Sequence, residues 1–185
     1  MPLLMLRKLP RYECLLEAAK EFPDLDPSAC EAFLHLLHAG DEGFRVVESH
    51  LARHNITQGR FGVLMILLNN CRQDGGTPAL SPAELADRTG VTRATMTGLI
   101  DTLERDGLVT RAPDAADRRM MEVCLTEKGR AILHEILPEH FRRMAALMQS
   151  LDETERKTLV GLLNKIQEQA AVIAPAVAPA LPAAV

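Results

Sequence analysis

The chain has 185 residues, 47 % of them hydrophobic, which suits one domain with extensions and excludes a disordered protein. Aromatics are only 3 % and Trp is absent, so the core must be aliphatic, a composition that favours helix over sheet. The formal net charge of −4 excludes a uniformly basic nucleic-acid binder, so any DNA contact must rest on a local basic surface.

Residues 1–26 read as an extension, with a short amphipathic helix from Tyr12 to Glu21 that Pro23 and Asp24–Asp26 end. Asp26-Pro27-Ser28 opens a long helix, with proline suited to a first helical position and Ser28/Glu31 at capping-box spacing. Phe33, Leu34, Leu37, Phe44, Val47 and Leu51 recur on it at helical intervals, and it is expected to end near His54-Asn55. Thr57 caps the next helix, whose apolar face is Phe61, Leu64, Leu67 and Leu68, and Asp74-Gly75-Gly76-Thr77-Pro78 breaks it.

Ser81-Pro82-Ala83-Glu84 is a second capping box and opens a short helix that stops at Gly90; Thr92 opens another that stops at Gly107. Two short helices joined by a tight turn containing glycine form a helix-turn-helix pattern. The period then changes. Leu108–Arg111 reads as a strand, Ala112–Asp117 as a loop and Met121–Leu125 as the return strand, which makes a wing. Thr126 caps a further helix to about Ser150 that Pro138 is expected to kink or split. Asp152 and Glu155 start a last helix carrying Leu159, Leu162, Leu163 and Ile166, and beyond Ile173 the composition falls to Ala, Pro and Val, as in a disordered tail. The fold class expected is mainly α with a small β-hairpin wing, a winged helix-turn-helix.

On the helix that Thr92 opens, Met96, Leu99, Ile100 and Leu103 share a core face. The opposite side carries Ala94, Thr97, Gly98 and Asp101, flanked by Arg93 and Thr95. Small residues beside Thr and Arg suit a helix lying deep in a major groove, where Ala and Thr methyls meet thymine and Arg can bond guanine twice. The helix N-terminus adds a dipole that favours phosphate. Arg111, Arg118 and Arg119 lie on or beside the hairpin, where arginine can enter a narrow minor groove; Asp114 and Asp117 lie in its loop. The candidate DNA contacts are Ser81, Thr92, Arg93, Ala94, Thr95, Thr97, Gly98, Arg111, Asp117, Arg118 and Arg119.

Three stretches carry a resemblance: Leu85 to Val109, Asp114 to Arg119, and Val123 to Gly129. Together they resemble the multiple-antibiotic-resistance regulator (MarR) family. The family's Asp-x-Arg in the wing is matched by Asp117 and Arg119, and its LT-x-x-G by Leu125, Thr126 and Gly129. The resemblance implies a ligand-responsive, sequence-specific DNA-binding transcription regulator, a repressor released by a small aromatic or anionic effector. It implies a homodimer on a pseudo-palindromic operator of double-stranded DNA, with no cofactor; the sequence itself, without an export signal or an uncharged stretch of membrane-spanning length, leads to the expectation of a cytoplasmic location with no membrane partner. The organisation it implies is an N-terminal extension (1–26), a first dimerisation helix (27–56), a winged DNA-binding domain (57–125), C-terminal dimerisation helices (126–173) and an Ala/Pro tail (174–185). The extension resembles that of longer members responding to urate or other aromatic acids, although the Trp some of those use is absent.

In this family effectors usually bind a cleft between the dimerisation helices and the winged domain. Here His38, Arg45, Met65, Asn69 and Arg72 are the candidate ligand contacts, since an anionic aromatic molecule needs a cation and a flat apolar wall. A redox sensor using Cys30 or Cys71 is the alternative, but no electropositive neighbour in sequence activates Cys30. A metal sensor is another alternative: His50/His54 and His35/His38 have helix-face spacing, with Glu31, Glu48 or Cys30 to complete a set. No C-x-x-C pair is present, so no metal site is assigned. A reading from another class is a winged-helix protein-interaction module. An enzyme is not expected, because the chain has no Gly-rich phosphate loop, no G-x-S-x-G and no paired motif carboxylates.

Overall fold

The computed structural model describes Leu4 and residues 8–73, 79–113 and 121–173. Two compact units emerge, Met1–Arg143 and Met144–Val185.

The first unit opens with α1 (Tyr12–Glu21) and the long α2 (Pro27–Leu51). Asp26, not Ser28, caps α2: its carboxylate accepts from the Ser28 and Ala29 backbone N–H groups at 2.9 and 3.1 Å. The expected Ser28/Glu31 box therefore does not form, because Asp26 precedes Pro27 and already meets the first free donors. A single 3-10 turn, Ala52–His54, follows α2, and Asn55 in the left-handed region (φ 54°) reverses the chain into α3 (Gln58–Gln73).

Next come β1 (Ala79–Leu80), α4 (Pro82–Thr89), α5 (Arg93–Arg105), β2 (Val109–Pro113), β3 (Met121–Leu125) and α6 (Glu127–Leu147). Gly90 (φ 68°) and Gly107 (φ 70°) close α4 and α5 with left-handed turns that a side chain would strain. The strands form an antiparallel sheet ordered β1-β3-β2, with Val109 opposite Leu125 and Leu80 opposite Val123. The two-residue β1 was not expected. The breaker at 74–78, the middle of the wing at 114–120 and the tail from residue 174 lie outside the described residues.

Leu51, Leu64, Leu67, Leu85, Met96, Ile100, Leu103, Leu133 and Ile136 are fully buried, so α2 to α6 share one aliphatic core that seats α5. Of the expected kink or split after the wing, the split does not occur: α6 runs through Pro138 as one helix. Both Pro138 and His134, whose carbonyl loses its helical partner, are exposed, so that carbonyl is open to solvent.

The second unit holds the end of α6 and α7 (Glu153–Ile173). The Asp152 carboxylate accepts from the Glu155 N–H, and Glu155 accepts from the Asp152 N–H, both at 2.8 Å. Met144, Leu147, Met148, Val160, Leu162 and Ile166 are exposed in this unit.

Candidate nucleic-acid interface

The interface is built around α5. Thr92 caps it, its hydroxyl accepting from the Thr95 N–H at 3.1 Å and meeting the Thr95 hydroxyl at 2.9 Å. Thr97 turns its hydroxyl back to the Arg93 carbonyl at 2.9 Å, which leaves its methyl outward. Met96, Ile100 and Leu103 are fully buried, Leu99 is half-buried against the core, and Thr92, Arg93, Ala94, Thr95, Thr97, Gly98 and Asp101 are exposed. A Cβ added at Gly98 would meet nothing within 4 Å, so neither packing nor a turn explains glycine there.

Ser81 is placed at the start of α4, but its hydroxyl is occupied. It accepts from the Glu84 N–H at 3.2 Å and donates to the Glu84 carboxylate at 2.7 Å, and that carboxylate also accepts from the Ser81 N–H at 2.8 Å. These bonds, the Ser81 hydroxyl's first, hold Glu84 below the usual carboxylate range. Its contribution to stability is therefore present above the unfolded pKa and is lost as the pH falls through the folded one. Ser81→Ala is expected to lower stability by about 1 kcal/mol, read as a lowered thermal midpoint.

Arg111 is bound to α5. Its guanidinium donates to Glu104 at 2.6 Å and to Asp101 at 2.5 Å, and its backbone N–H points to Glu104 at 3.3 Å. The Asp101 bond is the chief reason the guanidinium holds its proton more tightly, with burial opposing it. Two carboxylates on one guanidinium make a strut between α5 and β2. Glu104→Ala leaves the Arg111 guanidinium and N–H short of an acceptor and is expected to destabilise by about 1–2 kcal/mol, measurable by denaturant unfolding. Asp117, Arg118 and Arg119 lie outside the described residues.

The residues expected to hold an effector lie on α2 and α3, and none of them lines the cavity described below. His38 is half-buried near Glu42 (3.9 Å), exposed Arg45 is paired with the same Glu42 at 2.6 Å, Met65 packs on the core, and Asn69 is exposed. The side chain of Arg72, like that of Cys71, lies outside the described residues. A cavity of about 420 Å³ instead lies beside the C-terminal end of α5, with an apolar wall of Ile56, Leu108, Ala131 and Ile132. Arg60, Asp106 and Lys128 also line it: Arg60 pairs with the Asp106 carboxylate and Lys128 donates to the Asp106 carbonyl at 2.8 Å. Sequence reading missed it because its walls come from four separate segments.

Cys30 is half-buried, and among the described residues no group of three His, Cys, Asp or Glu is placed to hold a metal ion. Among the same residues no helix is long and apolar enough to cross a membrane.

Residues 54–120 match the MarR family. The chain is 35 % identical over 167 residues to the HTH-type transcriptional repressor YetL of Bacillus subtilis, covering 90 % of this chain and 97 % of that one. It is similar to the BpsR protein of Bordetella bronchiseptica, solved to explain regulation of its DNA binding by 6-hydroxynicotinic acid. That similarity has a TM-score of 0.62 at 28 % identity over 72 % of this chain and 91 % of that one. A MarR family regulator from Streptomyces coelicolor, solved in complex with DNA, shares the fold with a TM-score of 0.70 at 20 % identity, covering 78 % and 89 %.

Proposed function

This chain belongs to the MarR family of transcription regulators, and on that premise we propose that it is a homodimeric repressor released from its operator by a small aromatic or anionic effector. The observation that carries the DNA-binding part is the outward face of α5: short side chains, one glycine without a packing reason, and a threonine-capped N-terminus. In this reading Thr92, Arg93, Ala94, Thr95, Thr97 and Gly98 enter the major groove, and Arg118 and Arg119 of the wing reach the minor groove. Arg111 serves as a strut that holds the wing to α5 rather than as a base contact.

Dimerisation is supported by large apolar residues left exposed within each unit, Phe22, Phe33 and Phe44 in the first and Val160, Leu162 and Ile166 in the second. The effector reading is supported by the likeness to a ligand-regulated protein and by the cavity beside α5. Its apolar wall and the Arg60 and Lys128 cations suit an amphipathic anion. An anion drawing on those cations competes with Asp106, the residue that ends α5, and so acts on the recognition helix directly. The coupling needed is about 1–3 kcal/mol.

The test is fluorescence anisotropy of DNA from upstream of the protein's own gene, titrated with protein across a salt series and a panel of aromatic acids, with light scattering for mass. Salt-sensitive binding by a dimer, reversed by one acid, is the expected result. Release by peroxide alone would move the sensor to Cys30 or Cys71, and salt-independent binding would argue against phosphate contacts.

A further inference from the structure

Three histidines that lie far apart in the sequence converge where the end of α2 meets α6. His50, in the last turn of α2, is 2 % exposed, and His140 on α6 is 9 % exposed. Their rings stack with centroids 6.2 Å apart and planes 24° apart. His54, in the turn after α2, meets His50 edge-on at 5.4 Å, and Phe61 of α3 lies 4.8 Å from the His140 ring. The His50 Nε2 faces the Ile136 carbonyl at 3.3 Å, so the hydrogen on that nitrogen donates and Nδ1 is left with a lone pair. The Nδ1 atoms of both His50 and His140 are buried without a hydrogen-bond partner.

Such an arrangement suits two neutral rings and opposes a charged one. A protonated His140 carries a donor on an Nδ1 with no acceptor and sets a positive charge in a buried place beside a second imidazole. The charged groups facing the pair do not relieve it. On α6, Glu139 is held by Arg143 at 2.8 Å and Arg142 at 3.1 Å, and Glu135 faces His54 at 3.4 Å; Phe141, 6.0 Å from His140, is apolar. From α3 the ring that reaches the pair is Phe61, and the turn after α2 contributes His54. Burial, and next the neighbouring His50, hold His140 below the usual imidazole range.

We propose that the stacked His50–His140 pair is an acid-sensitive latch that closes the end of α2 onto α6 while neutral and lowers DNA affinity when it takes up a proton. The route is short. Leu51, Phe61, Leu133, Ile136 and Leu137 around the pair belong to the same core as Met96, Ile100 and Leu103, the buried face of α5. Opening the latch loosens the seat of the recognition helix. The sign of the linkage is fixed by the neutral folded state. Below the ordinary imidazole pKa, about 6.5, the unfolded or open chain binds more protons than the closed one. Stability of the closed form is therefore full above that pH and is lost as the pH falls below it.

The DNA readout rests on the DNA-binding reading above, and it discriminates because simple charge acts the other way. Protonating exposed His35 or His134 adds positive charge and strengthens attraction to phosphate, whereas opening the latch weakens binding. The experiment measures DNA affinity by anisotropy in steps from about pH 7.5 to about pH 5.5 at constant ionic strength, on the wild type, His140→Phe and a His35→Gln control. The expected result is an affinity loss of about tenfold or more for the wild type and the control, and no loss for His140→Phe. The proposal is overturned if the wild type is flat or strengthens on acidification, or if folded His140→Phe keeps the wild-type loss.

The six histidine rings of the wild type are followed by proton–carbon NMR over the same range, which decides the matter should His140→Phe not fold. A His140 signal that titrates together with the affinity loss supports the latch; its titration without loss of affinity overturns it. If the protein binds no DNA at pH 7.5, the DNA-binding reading fails separately. The latch is then judged by whether the wild-type thermal midpoint falls on acidification while that of His140→Phe holds.

Discussion

Gly98→Glu is expected to leave the protein folded and to weaken specific DNA binding by on the order of 100-fold or more. Position 98 is exposed on α5, nothing lies within 4 Å of a Cβ built there, and its helix is anchored by Met96, Ile100 and Leu103 on the other side. In the proposed binding mode a carboxylate on that face is desolvated against bases and repelled by phosphate, and like-charge juxtaposition costs several kcal/mol. Gly98→Ala separates the two roles of the position. Glycine inside a helix is about 0.8–1 kcal/mol worse than alanine, so the alanine variant is expected to melt higher than the wild type. A destabilising residue kept on an open helix face is what a binding surface requires. Anisotropy titrations beside thermal melts read both effects. Unchanged affinity in Gly98→Glu would remove α5 from the groove.

Gly129→Ala is expected to act on the fold instead, with a loss of about 3 kcal/mol and a fall in the thermal midpoint of roughly 6–12 °C. Gly129 is buried in the first turn of α6, and a Cβ there would overlap the Leu108 carbonyl and crowd the Leu125 side chain at 3.2 Å. The Leu108 carbonyl cannot step aside, because it accepts from the Thr126 N–H at 3.2 Å. Thr126 in turn donates its hydroxyl to the Gly107 carbonyl at 2.7 Å and accepts from the Gly129 N–H at 3.0 Å. Relief requires moving α6 away from the strand that leaves α5. A destabilisation under about 1 kcal/mol, measured by denaturant unfolding, would mean that the approach is looser than it stands here.

These two glycines show what local pattern conveys and what it does not. Gly98 was legible as part of an unusual helix face, because periodicity alone separates it from Met96, Leu99 and Leu103. Gly129 was legible only as a letter in the motif Leu125-Thr126-x-x-Gly129; its physical reason is a backbone contact with Leu108, 21 residues earlier in the chain. The caps at Ser81 and Thr92 and the stops at Gly90 and Gly107 depend on neighbours three or four residues away, and they were readable. The two residues of β1 are too few to set a period, and their pairing with Cys124 and Val123 depends on a strand more than forty positions on. The split expected at Pro138 failed for a similar reason: whether proline ends a helix depends on whether the orphaned carbonyl faces solvent, and burial is a tertiary property. The Arg111 strut and the His50–His140 stack join residues 10 and 90 positions apart, beyond any helical or strand repeat. Arginine on a wing strand reads as a free cation until Asp101 and Glu104 are placed beside it.

The strut has a consequence for how operator preference can drift over evolutionary time. Among the described residues the Thr95 and Thr97 side chains bond only to Thr92 and Arg93 of the same turn, and Ala94 and Gly98 carry no polar side chain, so each can be exchanged one substitution at a time with the scaffold left alone. Asp101 shares that face but also holds Arg111. A substitution there alters the groove surface and the anchoring of the wing in one step. On the proposed DNA-binding reading, variation that retunes operator preference is therefore expected to accumulate in the first two turns of α5, while Asp101 changes in concert with Arg111.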